Sequence, residues 1–257
     1  MKLRGAVLYD GPSLLDGAPI VVIATGVTGA KSANSKTGGM VQTYIMRSDV
    51  HPVEAVKAGD DASICGDCPL RPMKAEKGEP RCYVNKGFGP SAVYRGHQRG
   101  IYPAATTEEV RTAADGRPIR FGTYGDPAAA PAEVWQGLAA PGRTGYTHQW
   151  RTANVLQSLV MASVGTEDEA RQAQADGWRT FRVRGPLDPL MPNEIACPAS
   201  EEGGRKTQCE SCGLCNGRPT ENDRRKNIAI IDHGPTAART GNAADARMES
   251  FNLNGGK

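Results

Sequence analysis

The 257 residues suffice for one sizeable core or two small ones, and a charged fraction of 23% excludes wholesale disorder. Aromatic residues make up only 5%, so any core leans on Ala, Val, Ile and Leu. A net charge of +3 is too small to indicate a nucleic-acid partner by itself, and no apolar run approaches a membrane span.

The chain opens on Met1-Lys2-Leu3-Arg4-Gly5 without the apolar stretch of a signal peptide, so a cytoplasmic protein without a membrane partner is expected. Residues 1–60 read as a β-rich extension. Ala6-Val7-Leu8-Tyr9, Ile20-Val21-Val22-Ile23-Ala24 and the run from Gln42 to Met46 are short apolar segments bounded by turn residues. Between them, residues 25–39 form a Gly/Ser/Lys/Asn-rich loop. Its Gly26-x-x-Gly29-x-Lys31-Ser32 lacks the spacing of a phosphate-binding loop, and an ordinary mobile loop is expected.

From Ile119 onward, short β runs alternate with helical periodicity. The β runs are Ile119-Arg120-Phe121-Gly122, Gly145-Tyr146-Thr147, Leu159-Val160-Met161-Ala162, Thr180-Phe181-Arg182-Val183, Glu194-Ile195-Ala196 and Asn227 to Ile231. Helices are expected over 131–139, 151–158 and 166–175, the last with Thr166 as cap and Glu169 three positions on. This alternation predicts parallel βαβ units, hence an α/β fold with a partial or complete β/α (TIM-like) barrel over residues 61–233; an open doubly wound sheet is the alternative. Residues 234–257 read as a flexible tail.

Polar residues recur after the strands: Tyr124-Gly125-Asp126-Pro127, His148, Ser163, Arg184, Cys197 and Asp232-His233. Sites in α/β folds are built at that edge. Asp126, His148 and Arg184 are therefore the candidate catalytic residues, Asp126 or His148 to move protons and Arg184 to hold an anionic substrate.

Seven cysteines in a chain of this kind need a chemical reason. Their odd number and the expected reducing compartment argue against a disulfide framework. Cys209-x-x-Cys212-x-x-Cys215 with the remote Cys197-Pro198 has the ligand pattern of a bacterial ferredoxin-type cluster, in which successive thiolates reach different iron corners. Gly213 and Gly217 are expected to let the backbone approach that inorganic core. Cys65-Gly66-Asp67-Cys68-Pro69 and Cys82 form a second group of three thiolates, leaving one position open. His51, His97, His148 or His233 would close it as a structural zinc site. One or two iron–sulfur clusters, 4Fe-4S in type, are the expected cofactors; zinc and inert thiols are the alternatives.

The three N-terminal cysteines, the β/α pattern, the Tyr124-Gly125-Asp126-Pro127 turn and the Cys-rich C-terminal segment together resemble the radical S-adenosylmethionine enzymes that carry an auxiliary cluster. The resemblance implies that Gly125, Asp126 and Pro127 stand in for the family's Gly-Gly-Glu-Pro-like turn, with Asp126 pairing with the methionine ammonium of S-adenosylmethionine. Tyr124, Gly125, Asp126 and Ser163 are the candidate cofactor contacts. The cysteine spacing here, x2 and then x13, departs from the C-x3-C-x2-C of that family. The chain also resembles a phage protein family known by a gene-product label. Cys197-Pro198, Gly203-Gly204-Arg205-Lys206, the Cys209 run and His233-Gly234 carry that resemblance, which would place the protein in the host cytoplasm.

Three functions follow as expectations. One is an enzyme of one-electron or radical chemistry acting on a small molecule. Another is a non-catalytic iron–sulfur or zinc-stapled module that binds or exchanges electrons with a donor. The last is a nucleic-acid binder using Arg205, Lys206, Arg218, Arg224, Arg225 and Lys226 beside the metal run.

Overall fold

The computed structural model describes residues 3–29, 34, 36–72, 82–139 and 142–232. The predicted tail, residues 234–257, lies outside the described residues, as does His233.

Three strands open the chain: β1 (Gly5–Pro12), β2 (Pro19–Thr25) and β3 (Val41–Arg47). They pair antiparallel in sequence order. Among the described residues, four helices then carry the chain back: α1 (Pro52–Ala58), α2 (Ala62–Cys65), α3 (Gly89–Gln98) and α4 (Thr107–Ala114). The crossover makes β4 (Ile119–Tyr124) parallel to β3, and β5 (Arg143–Thr144) follows parallel to β4 after α5 (Ala132–Leu138). The second sheet holds β6 (Tyr146–Thr147), β7 (Met161–Val164), β8 (Thr180–Arg184), β10 (Asn227–Ile231) and β9 (Glu194–Ala196) in that spatial order, every neighbour parallel. Helix α6 (Glu167–Ala175) links β7 to β8, and α7 (Cys209–Cys212) lies between β9 and β10.

The fold is thus mixed α/β with two five-stranded sheets, one wholly parallel. Only Gly145 separates β5 from β6, so one strand segment leaves the first sheet and enters the second. The described residues form no closed barrel. The free edge of β1 is instead covered by residues 103–105, where Val7 N–H donates to the Pro103 carbonyl and Ala105 N–H to the Val7 carbonyl. That contact covers the β1 edge at Val7.

The strands form where the apolar runs predict them, and α6 begins at Thr166, whose hydroxyl accepts from Glu169 N–H. The helix expected over 151–158 is only a short 3-10 turn, Asn154–Leu156. Thr152, Asn154 and Val155 are poor helix formers. In that stretch Leu156 is buried and Val155 is 60% exposed, so a single apolar anchor is all it offers.

One large apolar core runs from Ile20 and Ile23 through Ile119, Phe121 and Trp135 to Val160 and Trp178. A smaller one gathers Met40, Met161, Phe181, Ile228 and Ile230 around Cys197, Cys209 and Cys215.

Candidate functional site

Side chains two apart on a strand share a face. Arg120, Gly122 and Tyr124 of β4 line a cavity of about 390 Å³, and so do Tyr146 with His148, Phe181 with Val183, and Ile230 with Asp232. Ser163 of β7 joins them. Thr123 also reaches the cavity, while on the opposite face of β4 Phe121 packs on Trp135 of α5 at 5.2 Å between ring centres. One face of the sheets therefore packs under helices and the other opens a cavity that runs along the strands.

All three N-terminal cysteines, Cys65, Cys68 and Cys82, line this cavity, together with Gly125 and Asp126 at the end of β4. Cys65 closes the short helix α2, and Cys68 N–H donates to the Cys65 carbonyl at 3.0 Å, so the Cys65–Cys68 segment is a tight turn. Two side chains from elsewhere lock it. Gln149 Nε2 donates to the Cys65 carbonyl at 3.2 Å. Arg71 donates to the Gly66 carbonyl at 2.9 Å and to Asp61 Oδ1 at 2.8 Å, and that ion pair is buried on both sides. Burial raises the Cys65 thiol, which Cys68, Asp61 and Cys82 push further up; it raises Cys68 to about 12, with Cys82 and Asp126 adding to it. Thiols that disturb one another in this way are neutral until a cation arrives, and a bound metal inverts that preference.

Gly125 has φ +81°, and a Cβ there would stand 2.7 Å from both Cβ and carbonyl oxygen of Ile45, so the turn after β4 admits glycine alone. Asp126 ties the turn to its neighbours. Its N–H donates to the Ile64 carbonyl at 2.6 Å, Oδ1 accepts from Ala128 N–H at 2.9 Å, and Oδ2 accepts from His148 N–H at 2.7 Å. Both carboxylate oxygens thus already serve the fold. Burial pushes the Asp126 carboxyl up, against the pull of His148 and of its N–H and hydroxyl donors. Burial pushes His148 down, toward the neutral imidazole, with Asp126 opposing. Tyr124 Oη is buried without a hydrogen-bond partner among the described residues.

Arg184 is not part of this cavity's lining. It follows Val183 by one position and faces the other way, paired with Glu202 at 2.7 Å and donating to the Asp188 carbonyl. Of the histidines, His148 lines the cavity. His51 instead caps α1, its Nδ1 accepting from Val53 N–H, and meets the Tyr94 ring edge-on at 5.3 Å between ring centres.

The C-terminal cysteines do not line the cavity. Cys197, Cys209 and Cys215 are buried in the smaller core, and Cys212 is half-buried. They sit close enough that Cys197, Cys209 and Cys212 all push the Cys215 thiol up; burial is the largest cause, and the result is about 12. The Tyr146 hydroxyl hydrogen-bonds Cys215 and pulls the other way. The loop before β3, expected to be free, docks here: Cys209 N–H donates to the Lys36 carbonyl at 2.8 Å and Gly39 N–H to Glu210 Oε2 at 2.7 Å. Gly217 serves a different purpose from the expected one. A side chain there would strike the Gln157–Leu159 backbone, so this glycine lets the loop pack on the chain ahead of β7. Gly213, at φ +63°, is the left-handed cap of α7 with open space around it.

Arg120, Tyr146 and Arg179 were not among the residues singled out from sequence. Arg120 lies over the Tyr146 ring at 5.7 Å, and both line the cavity while facing Cys209 and Cys215 electrostatically. Arg179, 3% exposed, donates to the carbonyls of Leu214 (2.7 Å), Asn216 (2.8 Å) and Lys226 (2.7 Å). No carboxylate among the described residues hydrogen-bonds it, and burial lowers it to about 10. Arg225 lowers it further, while Asp223 and Cys215 oppose that shift. Among the described residues, no three His, Cys, Asp or Glu side chains converge as ligands of one metal ion. No described helix is long and apolar enough to cross a membrane. Comparison with protein-family models gives no match, and neither curated proteins nor solved structures give one.

Proposed function

We propose that the chain is an iron–sulfur protein with a radical S-adenosylmethionine-like site. Its first cysteine group faces a cavity running through most of a β/α barrel, and its second forms an auxiliary centre behind the cavity wall. The observation that carries this reading is the shared cavity: Cys65, Cys68 and Cys82 line it together with Tyr124, Gly125 and Asp126. Three thiolates would leave one iron open, and a bound cluster would supply one-electron reduction there. This chain's own residues do the rest. Gln149 and Arg71 fix the cysteine turn, Gly125 keeps the strand end free of side chain, and Asp126 clamps that end to α2 and to His148. Tyr124 Oη is a spare polar group at the cavity, and Phe181, Val183 and Ile230 give it an apolar wall suited to a small organic ligand. The proposed kinship with the phage family rests on the cysteine and Gly-rich segments at 197–215.

The second group fits a cluster that is held rather than offered, because its thiols are packed among apolar side chains. That observation favours, for this group, the non-catalytic role of staple or electron store. The nearby basic run supports a nucleic-acid partner less well. Arg218 donates to the Gly177 carbonyl, Arg225 pairs with Asp223, and Lys226 Nζ donates to the Pro192 carbonyl.

The test is purification and reconstitution without air, with iron, acid-labile sulfide and zinc measured on the wild type and on C65S/C68S/C82S and C209S/C212S/C215S. We expect a brown protein that loses part of its iron and sulfide in each triple variant. Reduced wild type given S-adenosylmethionine should release 5′-deoxyadenosine, and C65S/C68S/C82S should not. A colourless protein carrying zinc, or none of these elements, would end the iron–sulfur reading. An iron-loaded protein inert toward S-adenosylmethionine would end the radical one.

A further inference from the structure

The cavity along β4 carries its positive charge at one end. Arg120 is the second residue of β4 and is half-buried, and the half-buried Lys36 lines the same cavity. Both stand against Cys209, so the two cations converge on one place. The groups facing Arg120 are Tyr83, Tyr146, Cys209 and Cys215, and Tyr83 also hydrogen-bonds it. These are phenols and thiols, uncharged at pH 7 in the metal-free chain. Among the described residues, no carboxylate forms an ion pair with Arg120 or Lys36. The carboxylates of the lining lie at the other end of the strands. Asp126 and Asp232 come after the last residues of β4 and β10, with His148 beside Asp126, and both Asp126 oxygens already accept N–H groups.

An apolar wall begins beside the cations. The Arg120 guanidinium lies over the Tyr146 ring at 5.7 Å, and that ring tilts against Phe181 at 4.3 Å between centres. Val183 and Ile230, level with each other in the sheet, continue the lining. The Tyr146 hydroxyl is committed to Cys215, so Tyr146 offers the cavity its ring. A guanidinium is a planar fork of donors that matches a carboxylate or a phosphate, and a buried cation left without an anion is costly. At about 390 Å³ the cavity has the size of a small-molecule site.

We infer that this cavity binds a small organic anion, its carboxylate or phosphate group held by Arg120 and Lys36 and its apolar body lying along Tyr146, Phe181, Val183 and Ile230. Arg120, rather than Arg184, is then the residue that holds the anion. The inference names a ligand class for the cavity on which the proposed function rests, yet it needs no metal at either cysteine group. It concerns binding alone, with no bond made or broken.

The test is isothermal titration calorimetry of the full-length protein as purified, with iron and sulfide measured on the same sample. The probes are phenylbutyrate and phenyl phosphate, with phenylbutyramide and phenol as their uncharged counterparts. At least one anion should bind, and its uncharged counterpart about tenfold or more weakly. The tighter anion identifies the head group as carboxylate or phosphate. Arg120→Met and Lys36→Met should each lose the preference for the anion, and Arg120→Lys, which keeps the charge, should retain part of it. Lys36 has no ion pair among the described residues, so Lys36→Met decides the matter if Arg120→Met does not fold. Equal binding of anion and uncharged counterpart, no binding of either anion, or an unchanged preference in Lys36→Met would overturn the inference. Anion binding by a protein free of iron and sulfide would leave it standing while removing the iron–sulfur reading, and an iron-loaded protein that ignores both anions would do the reverse.

Discussion

Asp223 shows how single residues shape the loop that carries Cys215. Its carboxylate, 6% exposed, pairs with Arg225, and Arg225 in turn hydrogen-bonds the Asn216 side chain and the Gly217 carbonyl. The hydrogen bond from Arg225 holds the Asp223 carboxyl down at about 2, against an ordinary 3.8. A depressed carboxyl binds protons less readily in the folded state than in the unfolded one. Its contribution is therefore complete above 3.8 and is lost as the pH falls through about 2. Asp223→Asn should lower stability at neutral pH by about 1–2 kcal/mol. The gap from wild type should narrow as the pH drops toward the lower value. Urea unfolding of both proteins at neutral pH and in acid reads this directly, and a penalty of equal size at both would show that the charge on Asp223 does not matter.

At the scale of elements, the turn holding Cys65 and Cys68 depends on a buried ion pair more than on helix α2, which has only four residues and no side-chain cap. The side chains of Arg71 and Asp61 are 8% and 3% exposed. Removing one partner leaves the other charge buried and alone, so Arg71→Met should cost about 3–5 kcal/mol. Asp61→Leu in the same chain should recover most of that, since a neutral apolar pair of similar bulk avoids the desolvation penalty. Thermal melting measures both, and reaction of Cys65 and Cys68 with a thiol reagent should quicken in the single variant and slow again in the double. A single variant as stable as wild type would assign the turn to other contacts. This turn also marks where the sequence stops being readable. Cys-x-x-Cys is visible as a motif, but Gln149, which grips it from 84 positions away, is not, because nothing local distinguishes a gripping glutamine from a solvated one. The strands were legible from their apolar runs, and polar residues after them were legible as a set. Which of those residues reach the cavity depends on strand parity: His148 and Asp232 lie two positions beyond inward-facing residues, whereas Arg184 lies one beyond Val183. Helix α4 carries a legible signal in its Thr106–Glu109 capping box, ahead of the stretch where β and α runs alternate. Arg179 was not legible, since a buried arginine that serves carbonyl oxygens has no sequence signature.

For the molecule as a whole, the question is whether the β-rich start and the parallel sheet stand or fall together. Residues 1–60 would be a separable extension if their strands packed only on one another. They do not. Val41 of β3 is in register with Ile119 of β4, and Thr43 Oγ1 donates to the Arg120 carbonyl at 2.9 Å. Gly145 then joins that sheet to the second, receiving Met161 N–H on its carbonyl and donating its own N–H to the Cys215 carbonyl, both at 3.0 Å. The apolar side chains follow the same path, with Ile20, Ile119, Trp135, Val160 and Trp178 in one continuous core. Opening either sheet exposes part of that shared core, so neither half gains from unfolding alone. Trp135, Trp150 and Trp178 are all buried in it and report on its opening, while far-UV circular dichroism also senses the strands before residue 60. The two signals should therefore give one coincident transition in urea. Early loss of β signal with the tryptophans still buried would instead mean that β1–β3 detach first, and that the pairing of β3 with β4 is too weak to bind the extension to the rest.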